Sequence, residues 1–195
     1  DEIAQTFETR NVAELLFFPD KCQVYKAKAA DFSDTKASVL GEYVPAVLGM
    51  DEDEHVKTCI VTSDYSGFVL FSFENGKVAK AELNAYATKT NRRKLLTAYS
   101  DKSPVVSILH IAGDCDMLLR TTNGKALIFN SEAIPAKTRS AQGNQIITLR
   151  KNAKVSEMVV FAEGMVKNES KFRPKNLPAA GSADDSQQGE QLTLM

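Results

Sequence analysis

The chain has 195 residues, of which 43% are hydrophobic, and its 24 basic side chains almost cancel its 25 acidic ones. This composition excludes a disordered polymer, because there is enough apolar material for a buried core, and it excludes a protein that attracts nucleic acid through net charge alone. Apolar runs stay well short of the roughly 20 residues of a membrane span, and the acidic start DEIAQTF is unlike a signal peptide, so we expect no membrane partner and no export.

The cysteine and histidine residues do not form the pattern of a metal site or an active site. Cys22, Cys59 and Cys115 lie far apart, outside any CxxC pair and without a nearby histidine. This spacing favours reduced core thiols in a cytoplasmic protein over a disulfide framework or a zinc site. His55 and His110 are isolated, and glycine motifs that bind phosphates or dinucleotides are missing from the sequence. We therefore predict no catalytic residue, no metal and no cofactor in this segment.

Three segments of the chain align without a gap, namely LLFFPDKCQVYKAKAADF (15–32), VLFSFENGKVAKAELNAY (69–86) and MLLRTTNGKALIFNSEAI (117–134). The alignment places Cys22, Gly76 and Gly124 at one position, with spacings of 54 and 48 residues. A period near 50 residues with several short strands per unit is typical of propeller architectures. We predict an all-β, propeller-like β-pinwheel of about three visible four-stranded repeats, in an open arc or a truncated disc. A β-sandwich with similar hairpins is the alternative, and the ungapped alignment favours the repeat.

The repeat divides the chain into five segments. We expect residues 1–14 to hold the end of a preceding blade or a closing strand, 15–62 the first blade, 63–111 the second, and 112–167 the third. Residues 168–195 are rich in Asn, Ser, Pro, Gly and Gln, which predicts a flexible tail. Because the sequence starts with Asp1 rather than Met, we also expect further domains upstream.

Within each unit the pattern predicts a hairpin followed by another strand. Asn75-Gly76 and Asn123-Gly124 are typical of two-residue type I′ turns. The first unit has Pro19-Asp20-Lys21-Cys22 there, which predicts a longer turn. The third strands are expected at 43–48, 104–109 and 145–149, and the only weak candidate for a helix is 85–99.

Basic side chains gather in and after each hairpin, at equivalent positions of the repeat. The second unit carries six such residues against one acid, Glu82, which leaves a local excess of five positive charges. Lys and Arg on loops neutralise phosphates without reading bases, so the expected binding is independent of sequence and strongly dependent on salt. A solvated face without a ligand is the alternative. The candidate DNA-binding residues are Lys26, Lys28, Lys77, Lys80, Lys89, Arg92, Arg93, Lys94, Lys125, Lys137 and Arg139.

From Leu15 to about Met158 the chain resembles a known family. The segments that carry the resemblance are the first hairpin, LGEYVPAVLGMDEDE, FENGKVAKAELNAYATKTNRRKLLTAYS and RTTNGKALIFNSEAIPAKTRSAQGNQIITL. Together they are similar to the C-terminal pinwheel domain of the A subunits of DNA gyrase and topoisomerase IV, the bacterial type IIA topoisomerases, in the shortened form of clostridia-like bacteria.

The resemblance implies a domain that binds and bends duplex DNA and presents it to an upstream cleavage core. It further implies dimerisation through the upstream core, a B-type partner chain, a cytoplasmic location at the nucleoid, and ATP and Mg used only by other domains or chains. By this likeness Lys80, Lys89, Arg92, Arg93, Lys137 and Arg139 would touch DNA. The Gln-Arg-Arg-Gly-Gly type box of gyrases has no match here, since 91–94 is basic but lacks the glycines. This difference favours a decatenating, topoisomerase IV-like parent, or places the box upstream.

The last five residues resemble the short Gln-Leu-x-Leu-Phe peptides that dock on the replication sliding clamp, with apolar anchors entering a groove. The candidate docking residues are Gln191, Leu192, Leu194 and Met195. A function of another class is a protein-interaction propeller whose basic loops do not bind DNA. An independent propeller enzyme is the least favoured, because the sequence offers no residue set for its chemistry.

Overall fold

The computed structural model describes residues 3–36, 38–88 and 92–184, and the description below refers to these residues. They form one short α-helix, α1 (Val44–Leu48), and short 3₁₀ turns at Ala29–Asp31, Leu83–Tyr86, Ser131–Ala133 and Glu169–Lys171. The strands in chain order are β1 (Glu14–Pro19), β2 (Val24–Lys28), β3 (Val56–Thr62), β4 (Phe68–Phe73), β5 (Lys77–Glu82), β6 (Lys94–Leu95), β7 (Val105–Ile111), β8 (Asp116–Thr121), β9 (Lys125–Asn130), β10 (Asn144–Gln145), β11 (Val155–Val160) and β12 (Ser182–Ala183).

The strands make three separate four-stranded sheets. Their orders are β3-β1-β2-β6, β10-β5-β4-β7 and β11-β8-β9-β12, and all neighbouring strands are antiparallel. In each sheet the two central strands are the hairpin that the repeat predicted. The all-β, propeller-like prediction is confirmed.

The outer strand of each sheet comes from chain that follows the sheet's own hairpin at a distance. Strand β6, in the second unit, pairs with β2 of the first sheet, with Tyr25 opposite Lys94. Strand β10, in the third unit, pairs with β5 of the second sheet, with Lys77 opposite Gln145. An unpaired edge leaves backbone N–H and C=O groups without partners. The exchanged strands β6 and β10 supply partners for such groups on β2 and β5. The boundaries at 62/63 and 111/112 therefore do not separate complete sheets.

Both ends of the chain differ from the expectation. Residues 3–13 contain no strand; the side chain of Gln5 instead lies along β3, where its Oε1 accepts from the Cys59 backbone N–H at 3.0 Å. Residues 168–184, assigned to a flexible tail, include β12, whose Ser182 lies opposite Ala126 of β9. The backbone N–H of Asp184 then donates to the carbonyl of Gly124 at 2.9 Å. This part of the tail therefore completes the third sheet.

The hairpin turns have a different geometry from the predicted type I′ turn. The Gly76 N–H donates to the Phe73 carbonyl at 3.0 Å, and φ is positive at Gly76 (85°) but not at Asn75. The third unit repeats this arrangement at Gly124, with φ of 71°. A turn followed by one left-handed residue is the pattern of a three-residue loop with a G1 bulge. Cys22, the aligned residue of the first unit, also has positive φ, 57°.

The predicted third strands form in only part of the chain. Segment 104–109 is confirmed except for its first residue, because β7 begins at Val105. Segment 145–149 keeps only the end of β10 and an isolated bridge from Ile147 to Ala179. Segment 43–48 is wrong as a strand, because it forms α1. Pro45 lies in the first turn of this helix, and Gly49 ends it in the left-handed conformation at φ 63°, as expected for these residue types.

The hydrophobic core lies between the sheets and arranges them in a row. One buried cluster joins the first and second sheets and includes Leu16, Phe18 and Phe71. Another joins the second and third sheets and includes Leu70 and Met117. Separate clusters cover the two outward faces, with α1 on the first sheet and residues 161–172 on the third.

The three cysteines are free thiols that are half-buried rather than fully buried. Cys59 lies in β3 and packs against the cluster under α1. Burial raises the pKa of the Cys59 thiol to about 12, so this side chain remains protonated near neutral pH. Cys59 thus packs against the core, as the sequence predicted, but it is only partly buried.

Candidate nucleic-acid interface

The exchanged strand β6 and the residue pair before it bring three cations to the outer edge of the first sheet. Arg92 is exposed and has no ion pair within the described part of the chain. The Arg93 side chain is 68% exposed, and its Nη2 lies 3.9 Å from Asp31. Lys94 lies with its Nζ 3.4 Å from Asp51. Because such exposed pairs are weak and screened by salt, Arg93 and Lys94 remain accessible to a competing anion.

The ammonium of Lys94 packs over an aromatic ring. The Lys94 ammonium lies 5.1 Å from the centre of the Tyr25 ring. Hydrogen bonding to Tyr25, followed by the hydrogen bond and charge of Asp51, raises the pKa of Lys94, so this side chain is a cation near neutral pH. Tyr25 is visible in the sequence as part of the first hairpin. The sequence does not indicate that β6 pairs with β2, which brings Lys94 to the Tyr25 ring.

Lys28 extends the same basic edge. It is exposed at the end of β2, and β2 runs antiparallel to β6 with Val24 opposite Leu95. Continuing that register from Leu95 back along the chain places Lys28 on the side of Arg92. The first sheet therefore has a basic edge made of four residues from two repeats, which we call the first basic edge: Lys28, Arg92, Arg93 and Lys94.

The second sheet has a sparser group of cations at its outer edge. Lys77, in β5, donates from its Nζ to Gln142 at 3.2 Å. Lys137 is exposed, and its backbone N–H donates to the Lys80 carbonyl at 2.9 Å. The half-buried Arg139 guanidinium lies 5.5 Å from the centre of the Tyr86 ring. Its Nη1 is buried without an acceptor among the described residues. Lys137 is thus the freest cation here, and Arg139 is mainly a contact between units.

Two of the predicted DNA-binding lysines are buried and already have partners. Lys26 is 8% exposed and Lys80 is 5% exposed. The Lys26 Nζ lies 3.3 Å from Glu14, and the Lys80 Nζ lies 2.5 Å from Asp114. A phosphate cannot reach a buried ammonium without breaking these pairs. We therefore remove Lys26 and Lys80 from the interface.

The third sheet holds none of the exposed cations that the sequence predicted for DNA binding. Lys125 is half-buried in β9. The outer strand β12 leads into Asp184, whose Oδ2 accepts from Arg120 Nε at 2.9 Å. The exposed Lys171 donates from its Nζ to the Ala183 carbonyl of β12 at 3.0 Å, so the third edge has a cation of its own that the sequence analysis did not single out. Lys89 and the candidate clamp-docking residues Gln191, Leu192, Leu194 and Met195 lie outside the described residues.

Other classes of site find little support in the described ranges. No helix among them is long and apolar enough to cross a membrane. Within 3–36, 38–88 and 92–184, no three residues of the types His, Cys, Asp and Glu come together as a set of metal ligands.

The domain belongs to the β-pinwheel or propeller class. It has repeated four-stranded antiparallel sheets, which exchange edge strands and pack through their faces.

The sequence family described as DNA gyrase C-terminal domain, beta-propeller, matches residues 116–162. The DNA gyrase A protein of Streptococcus pneumoniae serotype 4 is 30% identical over 145 residues, 72% of this chain and 18% of that protein. The DNA gyrase A protein of Mycoplasma genitalium is 25% identical over 167 residues, 84% of this chain and 20% of that protein.

Solved structures agree with this assignment. The C-terminal domain of DNA topoisomerase IV superposes with a TM-score of 0.78 at 22% identity, covering 89% of this chain and 58% of that one. The E. coli ParC C-terminal domain superposes with a TM-score of 0.70 at 15% identity, covering 91% of this chain and 79% of that one. The chain belongs to the family of C-terminal domains of the A subunits of DNA gyrase and topoisomerase IV. It spans about a fifth of the curated gyrase proteins that it matches.

Proposed function

We propose that this domain binds duplex DNA without sequence preference along the outer edges of its first two sheets. The observation that supports this best is the position of Arg92, Arg93 and Lys94, which the strand exchange brings to the outermost strand of the first sheet. Arg92 is exposed and without an ion pair in the described part of the chain. Such cations contact phosphates and carry no base-specific information.

We further propose that the duplex bends as it contacts both edges. The first basic edge and Lys137 belong to neighbouring sheets, so a duplex that contacts both would have to follow the change in direction from one sheet to the next. Bending a site by 40–90° costs about 1–6 kcal/mol, which additional phosphate contacts can offset.

The wider role rests on the family. We propose that the domain serves a type IIA topoisomerase by presenting bent duplex to an upstream cleavage core, in a dimer that works with a B-type partner chain at the nucleoid. The breaking and rejoining of DNA, with its ATP and Mg, would belong to those other parts of the enzyme. Docking of the last five residues on the sliding clamp is a separate proposal, and deletion of those residues tests it.

The test is a duplex-binding titration at several salt concentrations, with the Arg92→Ala, Arg93→Ala and Lys94→Ala triple variant. Wild type should bind with a steep salt dependence, and the triple variant should bind more weakly, with a slope reduced by about 0.9 for each lost phosphate contact. The control is Lys57→Ala, Lys102→Ala and Lys167→Ala, which removes three exposed charges elsewhere. Equal losses in both variants, or no binding at low salt, would favour the protein-interaction propeller instead.

A further inference from the structure

The buried Lys26 contacts both ends of the basic loop that the second unit sends to the first sheet. Its Nζ donates to the Tyr86 carbonyl at 3.3 Å and to Thr88 Oγ1 at 3.1 Å. Its backbone N–H donates to the Arg93 carbonyl at 2.7 Å. Lys26 therefore contacts the second unit at Tyr86 and Thr88 through its side chain and at Arg93 through its backbone.

Lys80 occupies the aligned position in the second unit and also contacts the following unit at two points, through different atoms and at partners that are not aligned with those of Lys26. Its Nζ donates to the Ser131 carbonyl at 3.4 Å, and its own carbonyl accepts from the Lys137 N–H at 2.9 Å. The aligned residue of the third unit, Ile128, keeps the backbone contact, from its N–H to the Phe172 carbonyl at 2.8 Å. An isoleucine has no ammonium with which to hold the other end. A buried ammonium with contacts to the following unit thus occurs on the first and second sheets, which hold the exposed cations that the sequence predicted.

Each of these ammonium groups is compensated inside the protein. Lys26 pairs with Glu14 and lies 5.1 Å from the centre of the Tyr65 ring. Lys80 pairs with Asp114 and lies 4.5 Å from the centre of the Phe68 ring. A buried charge is retained only when it is paired and hydrogen-bonded. The carboxylates meet this requirement, and they leave the remaining ammonium donors for the loop carbonyls.

We propose that Lys26 and Lys80 are positioning residues that hold the basic loops in their DNA-binding conformation, without touching DNA. The inference rests on the proposed function, because it concerns loops that contact phosphate. Contacts at both ends of a segment restrict its conformations before binding, so less conformational entropy remains to be lost when the segment binds. The basic residues therefore have two roles. The exposed cations contact DNA, and the buried lysines at the aligned positions 26 and 80 hold the loops.

The first readout needs no DNA. In Lys26→Met the two side-chain hydrogen bonds to the loop are lost while the aliphatic stem remains. Loss of hydrogen bonds to a charged group should raise the rate of trypsin cleavage at Arg92, Arg93 and Lys94 by about tenfold. Lys57→Met is the matched control, because Lys57 is exposed on β3 at the opposite edge of the same sheet. It should leave the cleavage rate unchanged.

The second readout is the salt dependence of duplex binding. Lys26→Met should weaken binding by about tenfold at one salt concentration, with the same slope of log K against log salt as wild type. Arg92→Ala should instead reduce the magnitude of that slope by about 0.9, as expected for one lost phosphate contact. A purely structural defect elsewhere would not accelerate cleavage in this loop alone.

The outcomes separate the two proposals. A slope reduced by about 0.9 in Lys26→Met would mean that Lys26 contacts DNA, and this would overturn the inference. Cleavage and affinity that both stay unchanged in Lys26→Met would also overturn it, because Lys26 would then not hold the loop. Wild type that fails to bind duplex would overturn the proposed function, while the cleavage rates still decide whether Lys26 holds the loop. If Lys26→Met unfolds, Lys26→Met with Glu14→Gln removes both charges together, and Lys80→Met gives the same test through cleavage at Lys137 and Arg139.

Discussion

The Nε of Arg120 donates to Oδ2 of Asp184 at 2.9 Å, and this ion pair joins the third hairpin to the strand that closes its sheet. Arg120 also donates from Nη1 to Glu157 of β11 at 2.8 Å. The guanidinium thus connects strands on both sides of the hairpin, through two carboxylates. The Asp184 side chain is 3% exposed, whereas that of Glu157 is 43% exposed, so the ion pair with Asp184 is the more buried of the two.

Replacing Asp184 should therefore loosen the third sheet. Asp184→Ala leaves part of a buried guanidinium without its acceptor, and we expect a loss of about 1–3 kcal/mol in the free energy of unfolding. Glu157→Gln, which changes the more exposed partner, should cost about 0.5 kcal/mol. Urea unfolding monitored by circular dichroism measures both. An Asp184→Ala variant as stable as wild type would show that this pair does not stabilise the third sheet.

The glycines of the second and third hairpins should respond differently to alanine. Both have positive φ, but a Cβ at Gly76 would lie 2.6 Å from the Ile147 carbonyl oxygen, whereas a Cβ at Gly124 meets nothing within 4 Å. Gly124→Ala should cost about 1 kcal/mol for the left-handed backbone alone. Gly76→Ala should cost about 3 kcal/mol, because steric overlap adds to that strain. The two variants control for each other in thermal unfolding, and a larger loss at Gly124 would contradict the contact geometry.

The same hairpin position explains which parts of the fold the sequence could predict. Cys22, Gly76 and Gly124 share a positive φ because the turn is local and needs one left-handed residue at that point in each unit. Strands β6, β10 and β12 have two residues each. Two residues have no periodicity, so their pairing with a distant hairpin left no sequence signal. The helix α1 was missed for a related reason, since five apolar residues do not distinguish helix from strand.

The positions of the basic side chains were predicted in outline and corrected in detail. Arg92, Arg93 and Lys94 are at an outer edge, where charge clustering indicated they would be. Lys26 and Lys80 were placed with them because basic side chains gather at equivalent positions of the repeat, and an unpaired lysine is rarely buried. Their carboxylate partners could not be inferred from the repeat, because Glu14 lies within the first hairpin and Asp114 lies in the connector after β7. Unequal partner positions leave no repeating pattern to detect.

Cys22 should tolerate glycine better than a branched residue. It holds the left-handed position at φ 57°, which costs an L-residue about 1–2 kcal/mol, and its Sγ lies 3.6 Å from the Ser100 carbonyl. Cys22→Gly removes the strain and a modest contact, so its stability should lie within about 1 kcal/mol of wild type. Cys22→Val keeps the bulk and adds β-branching, which increases the strain, and it should be clearly less stable. Chemical unfolding of both variants under reducing conditions makes the comparison, and the reverse order would contradict it.

The pair of Lys80 and Asp114 should make the domain sensitive to acid. Hydrogen bonds from Lys80 and Ser131, together with the charge of Lys80, lower the pKa of Asp114 below its ordinary value of 3.8. Because the folded state holds this proton less tightly than the unfolded state, the stabilisation is fully present above pH 3.8 and is lost as the pH falls through the lower folded pKa.

Asp114→Asn should accordingly be less stable than wild type near neutral pH, and the difference should shrink as the pH falls below 3.8. Asp101→Asn is the control, since Asp101 is exposed and its only described ion pair is with the neighbouring Lys102. The measurement is urea unfolding at a series of pH values from neutral to acid. A difference that persists unchanged in acid would mean that Asp114 stabilises the connector through hydrogen bonds that protonation does not remove. In that case the charge of Lys80 would be balanced by the Ser131 carbonyl and the Phe68 ring, and the second basic loop would be held without a carboxylate.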